Sequence, residues 1–209
     1  MTPLVKICGM TSADNIARAL TLSPDWLGLI FHRPSPRNAL GLAPEELARF
    51  SGKVKFAGVL VNRPAGEVLD TAERYGLAAV QLHGDESSEY CRQLRDRGFE
   101  VWKAVGIGTE KDMTALIPYA DCVDRFVFDR KSASRGGTGE KFDWKLLKCY
   151  TLPVPFLLGG GIGPEDAGLL RTLSHPSLAG IDLNSRFETL PGIKNIELLN
   201  DFLKKIRQL

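Results

Sequence analysis

Several features are missing from this 209-residue chain, and each absence removes a class of function. No apolar run approaches the ~20 residues that cross a bilayer, which excludes a helical membrane protein. No basic stretch is long enough to follow a nucleic-acid backbone. With 27 basic against 25 acidic residues the net charge is only +2, so no nucleic-acid partner is expected. The four cysteines, Cys8, Cys91, Cys122 and Cys149, lack CxxC spacing, which points away from zinc, redox pairs and a disulfide framework. No leader-like segment precedes the first apolar run, which predicts a cytoplasmic protein. Low-complexity tracts and linkers are lacking too, so residues 1–209 read as one domain with one sizeable core.

What is present is a regular alternation. Short apolar runs fall at Leu4–Cys8, Trp26–Phe31, Val54–Val61, Ala78–Leu82, Val101–Val105, Arg125–Phe128, Pro155–Leu158 and Ala179–Leu183. Helical patterns lie between them at Ser12–Leu22, Pro44–Phe50, Pro64–Tyr75, Glu86–Arg97 and Glu165–Leu173. Ser12 suits a helix cap, and Pro44, Pro64 and Pro164 suit first-turn positions. Eight strands alternating with helices imply an α/β protein with a parallel sheet, and eight units close a single-domain (β/α)8 barrel.

Strand parity sorts the residues of such a barrel. Neighbours along a strand face opposite sides, and the apolar set faces the outer helices. Val5 and Ile7 therefore point outward, and Lys6 and Cys8 inward. Val80 and Leu82 point out, with Gln81 and His83 in. Phe126 and Phe128 point out, with Val127 and Asp129 in. Ile181 and Leu183 point out, with Asp182 in. Lys103 is similarly flanked by apolar Trp102 and Ala104. Cys8, His83, Asp129 and Asp182 thus converge at the C-terminal strand ends, the catalytic face of this fold. A floor built only for packing calls for Val, Ile and Leu.

The seventh strand runs into "LLGGGIGPEDA" and the eighth into "GIDLNSRFE". Loops after these two strands often hold phosphate in (β/α)8 enzymes, and glycine lets a ligand approach the backbone. Gly160, Gly161, Asn184 and Ser185 are the expected phosphate contacts. Glu165 and Asp166, beside the first of these turns, are expected to repel an anion. Pro164 breaks the GxGxxG spacing of a dinucleotide site.

Specific motifs then appear in order. "KICGMT" at 6–11, "SPR" at 35–37, "QLHGDE" at 81–86, "FDRKSASRGGTGEKFDW" at 128–144, "GGGIGPEDA" and "GIDLNSRFE" span the chain. Together they resemble the phosphoribosylanthranilate isomerase family. The resemblance implies a (β/α)8 (TIM) barrel without cofactor or metal, acting on a phosphorylated small molecule in tryptophan biosynthesis, as a monomer or homodimer. It implies an Amadori rearrangement, with Asp129 as the acid that opens the furanose ring and Cys8 as the base at the sugar's C2. Arg37 is expected to hold the anthranilate ring and carboxylate. His83 and Asp182 are placed with the substrate contacts, although His83 suits a bracing role equally.

These roles carry physical requirements. A basic cysteine needs nearby positive charge, which Lys6 can supply in part. An acidic aspartate needs a raised pKa, from burial or from a carboxylate such as Asp182. Ser134–Lys141 is expected to close over the substrate. Relatives commonly carry a glycine where this chain has Arg186, so Arg186 is expected either on the phosphate or in solvent. His175, before Pro176, is expected in solvent.

Overall fold

The computed structural model describes residues 3–131 and 141–207. Eight parallel strands close a barrel in sequence order: β1 (Leu4–Ile7), β2 (Trp26–Ile30), β3 (Lys55–Leu60), β4 (Ala79–Leu82), β5 (Glu100–Ile107), β6 (Arg125–Arg130), β7 (Phe156–Leu158) and β8 (Leu178–Leu183). β1 pairs with β8 to complete the ring, placing Lys6 beside Asp182. All eight expected strands form. Of the Ser134–Lys141 stretch, only Lys141 lies within the described residues.

Around the ring lie α1 (Ala13–Leu20), α2 (Pro44–Ala48), α3 (Ala65–Tyr75), α4 (Ser88–Arg95), α5 (Glu110–Thr114), α6 (Ala167–Thr172) and α7 (Ile196–Arg207). Ser12 caps α1, its side chain accepting from the Asn15 N–H. Gly76 ends α3 in the left-handed conformation at φ 59°, which glycine adopts without penalty. α4 begins two residues later than the pattern suggests, because Ser87 caps it while the Glu86 side chain is bound to the preceding loop. A hairpin of β9 (Glu188–Leu190) and β10 (Ile193–Lys194) follows β8.

Two apolar layers result. The larger one, between strands and helices, contains Val5, Ile7, Val80, Leu82, Phe126, Phe128, Ile181 and Leu183, as parity predicts. The smaller one plugs the barrel floor with Trp26, Ala57, Ala79, Trp102, Ala104, Val127 and Leu157. Here the expectation of a branched-aliphatic floor is corrected. Two indoles meet edge to face with centroids 4.6 Å apart, and alanines leave them room.

β5 breaks the parity argument. Trp102 and Ala104 face the interior, which puts Lys103 outside. Its ammonium is nevertheless buried beneath the loop after β4. There it donates to the carbonyl oxygens of Leu82, Gly84 and Ala104 and to Glu86. Periodicity separates the two faces of a strand without saying which polar group finds partners. His175 is also part-buried, its ring bonding the Tyr150 carbonyl and accepting from the Ser177 N–H.

Candidate active site

A cavity of about 300 Å³ opens at the C-terminal ends of the strands. Cys8, Arg37, His83, Asp129, Asp182, Gly160, Gly161, Asn184 and Ser185 all line it. Every residue expected at the site is therefore brought to one place. A wider open depression of about 850 Å³ lies at the other end, beside Trp26, Lys55 and Arg125. Asp25, Glu73 and four cationic side chains line it but no cysteine or histidine does, and in this fold chemistry resides at the C-terminal mouth.

The cysteine sits where it does because its neighbours are glycines. Gly9 turns the chain at φ +75°. A Cβ on Gly28 would lie 2.5 Å from the Cys8 sulfur, so only glycine there leaves space for the thiol. The Cys8 N–H donates to the Leu183 carbonyl, and the Gly9 and Met10 N–H groups donate to Gly28. Burial pushes the thiol pKa up, while the charges of Lys6 and Lys194 pull it back only in part. The resting group is accordingly a thiol close to two ammonium groups.

Lys6 lies in the barrel interior directly below Cys8, with no exposed surface. Its ammonium donates to Gln81 Oε1 at 2.7 Å and Asp182 Oδ2 at 2.8 Å. Burial disfavours its charge, but Asp182 and Cys8 outweigh that, and its pKa lies above the ordinary lysine value. Asp182 Oδ1 is buried without a hydrogen-bond partner among the described residues.

Asp129 ends β6 beside the glycine loop. Burial raises its pKa; the hydrogen bond from the Arg130 N–H and the charge of Lys6 oppose this. Of the two expected causes burial is the one that raises Asp129, and the repulsion between the two carboxylates instead helps to raise Asp182. His83 Nε2 stands 3.7 Å from Asp129 Oδ2. The pKa of His83 is lowered to about 4 by burial, then by Lys103 and Lys6. About one third of its side chain opens to the pocket, so the two lysines matter beside the burial.

The loop carrying His83 is held rigidly. Glu86 accepts from the N–H groups of Asn62 and Gly84 and pairs with Lys103. Asn62, at φ 49°, accepts from the Asp85 N–H through its side chain.

Arg37 reaches the pocket from the loop after β2. Its Nε and Nη2 grip Glu188, with Nη2–Oε2 at 2.8 Å. Glu188 also accepts from Lys194 at 2.6 Å, and Lys194 donates to Asn184 Oδ1 at 2.7 Å. Burial opposes the Glu188 charge, but Arg37 and Lys194 hold its pKa below the usual carboxylate range. Asn15 of α1 locks β10 in place by a two-way hydrogen bond with the Lys194 backbone. Glu188 and Lys194 escape sequence reasoning, because nothing local in "RFETLPGIKN" distinguishes them from surface charges.

The presumed repulsion at the glycine loop is also corrected. Glu165 pairs with Arg186 at 2.9 Å and with Lys141, which also pairs with Asp166 at 2.6 Å. Both carboxylates are paired with cations, and Arg186 lies at the exposed surface, the second of its two expected places, in an ion pair with Glu165. Gly160 and Gly161 adopt left-handed φ values of +73° and +78°. A Cβ on Gly160 would lie 2.6 Å from the Arg130 nitrogen. No group of three or more His, Cys, Asp or Glu among the described residues could hold a metal ion.

A polar pocket at the mouth of a (β/α)8 barrel, with a carboxyl of raised pKa and a thiol beside ammonium groups, defines an acid–base enzyme of the barrel class. A family model described as N-(5'phosphoribosyl)anthranilate (PRA) isomerase matches residues 5–205. The chain belongs to this family of isomerases. It is 40% identical over 205 residues to the N-(5'-phosphoribosyl)anthranilate isomerase of Parabacteroides distasonis, covering 97% of this chain and 93% of that one. It is 37% identical to the Phocaeicola vulgatus protein of that name, covering 98% of each. The crystal structure of the Thermotoga maritima phosphoribosyl anthranilate isomerase superposes with a TM-score of 0.83 at 31% identity, covering 99% of this chain and 100% of that one. A relative at 29% identity and TM-score 0.80 was solved with reduced 1-(o-carboxyphenylamino)-1-deoxyribulose 5-phosphate, covering 99% and 100%.

Proposed function

We infer that this chain converts N-(5'-phosphoribosyl)anthranilate to 1-(2-carboxyphenylamino)-1-deoxyribulose 5-phosphate, a step of tryptophan biosynthesis. One observation carries the assignment of roles: Cys8 and Asp129, on strands that are not neighbours, face the same pocket with different protonation tendencies. Asp129, its pKa raised by burial, gives its proton to the furanose ring oxygen as the ring opens to an iminium. Cys8, as thiolate, takes the proton from C2, leaving an enol that tautomerises to the ketone. The charges of Lys6 and Lys194 favour that thiolate once substrate is bound.

Arg37 holds the anthranilate carboxylate, with the Glu188 grip fixing its plane. His83 and Asp182 contact the sugar. The N–H groups of Gly160 and Gly161, which find no acceptor among the described residues, bind phosphate with Asn184 and Ser185. In this reading residues 1–209 act as one domain, as a monomer or homodimer that sedimentation will distinguish. The four cysteines are free thiols, which supports a reducing, cytoplasmic setting testable by cell fractionation.

The test follows the fluorescence of N-(5'-phosphoribosyl)anthranilate. The protein is expected to quench it catalytically, and Cys8→Ala and Asp129→Ala each to abolish the effect. An inactive wild-type protein overturns the reading.

A further inference from the structure

Gln81 is a buried amide to which the acid–base scheme gives no task. Its surroundings fix its orientation. Oε1 lies 2.7 Å from Lys6 Nζ. An ammonium can only donate, so the amide oxygen is the atom that faces it. The Nε2 end therefore faces His83, at 3.5 Å from Nδ1. An amide nitrogen also only donates, so Nδ1 is the ring's accepting nitrogen and a neutral ring carries its proton on Nε2. Nε2 is the atom turned towards Asp129 Oδ2, 3.7 Å away. Asp182 anchors the chain of contacts from below through Lys6.

We propose that Gln81 is a positioning residue: with Lys6 it sets His83 in the Nε2–H tautomer, so that a neutral donor faces Asp129. The inference rests on the isomerase reading above. When Asp129 gives up its proton, a carboxylate forms in a buried place at a desolvation cost. An N–H group already aimed there meets the new charge and needs only a small approach to bond it. The other tautomer would present a lone pair to that carboxylate. An imidazolium would favour the carboxylate before substrate arrives and so spoil the acid. The groups acting on the ring are Lys103 and Lys6, which oppose its protonation, and Asp182 and Glu86, which favour it. Burial and the two lysines prevail.

The experiment records long-range ¹H–¹⁵N spectra of histidine-labelled resting protein near neutral pH, with His83 assigned through His83→Asn. The expected result is a protonated Nε2 and a bare Nδ1. Gln81→Glu puts acceptors at both ends of the side chain and is expected to move the proton to Nδ1. It should lower kcat roughly 10²-fold, the size of losing one preorganised donor, with KM changed less than about twofold. Gln81→Met, similar in bulk, is expected to give mixed tautomers and a smaller loss. A wild-type Nδ1–H signal overturns the proposal even if neither variant folds. So does a Gln81→Glu protein with tautomer and kcat unchanged. The spectrum is read without turnover, so failure of the isomerase reading, seen as an inactive wild type, is distinguishable from failure of this one.

Discussion

On β6, Val127 and Asp129 stand two positions apart, about 7 Å along the strand, and face opposite requirements. Val127 belongs to the barrel floor, where the Trp26 and Trp102 indoles and three alanines exclude water. Asp129 belongs to the mouth, where a carboxyl is kept partly buried at an electrostatic cost. The same step recurs on β4, from Ala79 in the floor to Gln81 and His83 above it. The floor contributes stability through packed area, while the mouth gives up some stability to hold groups in unfavourable protonation states. One strand serves both because its inward residues climb from one end of the barrel to the other. Lys6 stands at the boundary, 5.9 Å from the Trp102 ring and bonded to Asp182.

The contrast is broken most sharply by exchanging the two kinds of loss. Asp129→Asn is expected to lower kcat by about 10²–10⁴-fold, the range of a lost general acid, while thermal melting stays equal or rises. Removing a buried carboxyl relieves desolvation. Trp102→Ala should do the reverse, costing about 3–5 kcal/mol in urea unfolding with kcat per folded molecule nearly retained. Lys6→Met should do both, because it leaves Asp182 buried and unpaired. A stability loss of about 3–5 kcal/mol is expected, together with a further rise in the Cys8 pKa read from the alkaline limb of kcat/KM. A Lys6→Met protein with wild-type melting and pH profile would dissolve the boundary drawn here.

The pH profile sharpens the comparison further. In the proposed scheme turnover needs Cys8 ionised and Asp129 protonated, although both pKa values are raised. Between them the competent fraction is constant. Below the Asp129 value the thiolate is lost, and above the Cys8 value the acid is lost, so kcat/KM is expected to be a bell with a broad plateau. Stability follows the same signs. Both groups hold protons more tightly folded than unfolded, so each lowers stability as pH rises from its unfolded value. His83, depressed to about 4, acts oppositely, its contribution being lost as pH falls from about 6.5. Thermal melts of His83→Asn against wild type between neutral pH and the acid limb check this. The smallest effect is expected at Arg186→Ala. Its partner Glu165 is exposed, so stability should change by less than about 1 kcal/mol and KM by little.

Particular residues show how far the sequence could be read. Strand order, the outward apolar set and the inward Cys8, His83, Asp129 and Asp182 were legible because period-two alternation records which face meets the helices. Lys103 misled for the same reason, since an outward lysine and an inward one look alike in the pattern. The short helix α5 and the terminal α7 escaped, although Thr109, bonded to Asp112, and Asn195, which caps the first turn, mark their starts. Glu188, Lys194 and the orientation of Gln81 were out of reach. Each acts through a partner far along the chain, such as Asn15 for Lys194 and Lys6 for Gln81.

By itself, the sequence determined the barrel, the residues at its mouth and, through its motifs, the family. Local alternation and turn chemistry encode these. Only the tertiary structure decided the protonation of the site. It buried Cys8 and Asp129, paired Lys6 with Asp182 and Gln81, and held His83 neutral between two lysines. A pKa depends on burial and on charges brought within a few ångströms, and neither is written in the order of neighbouring residues.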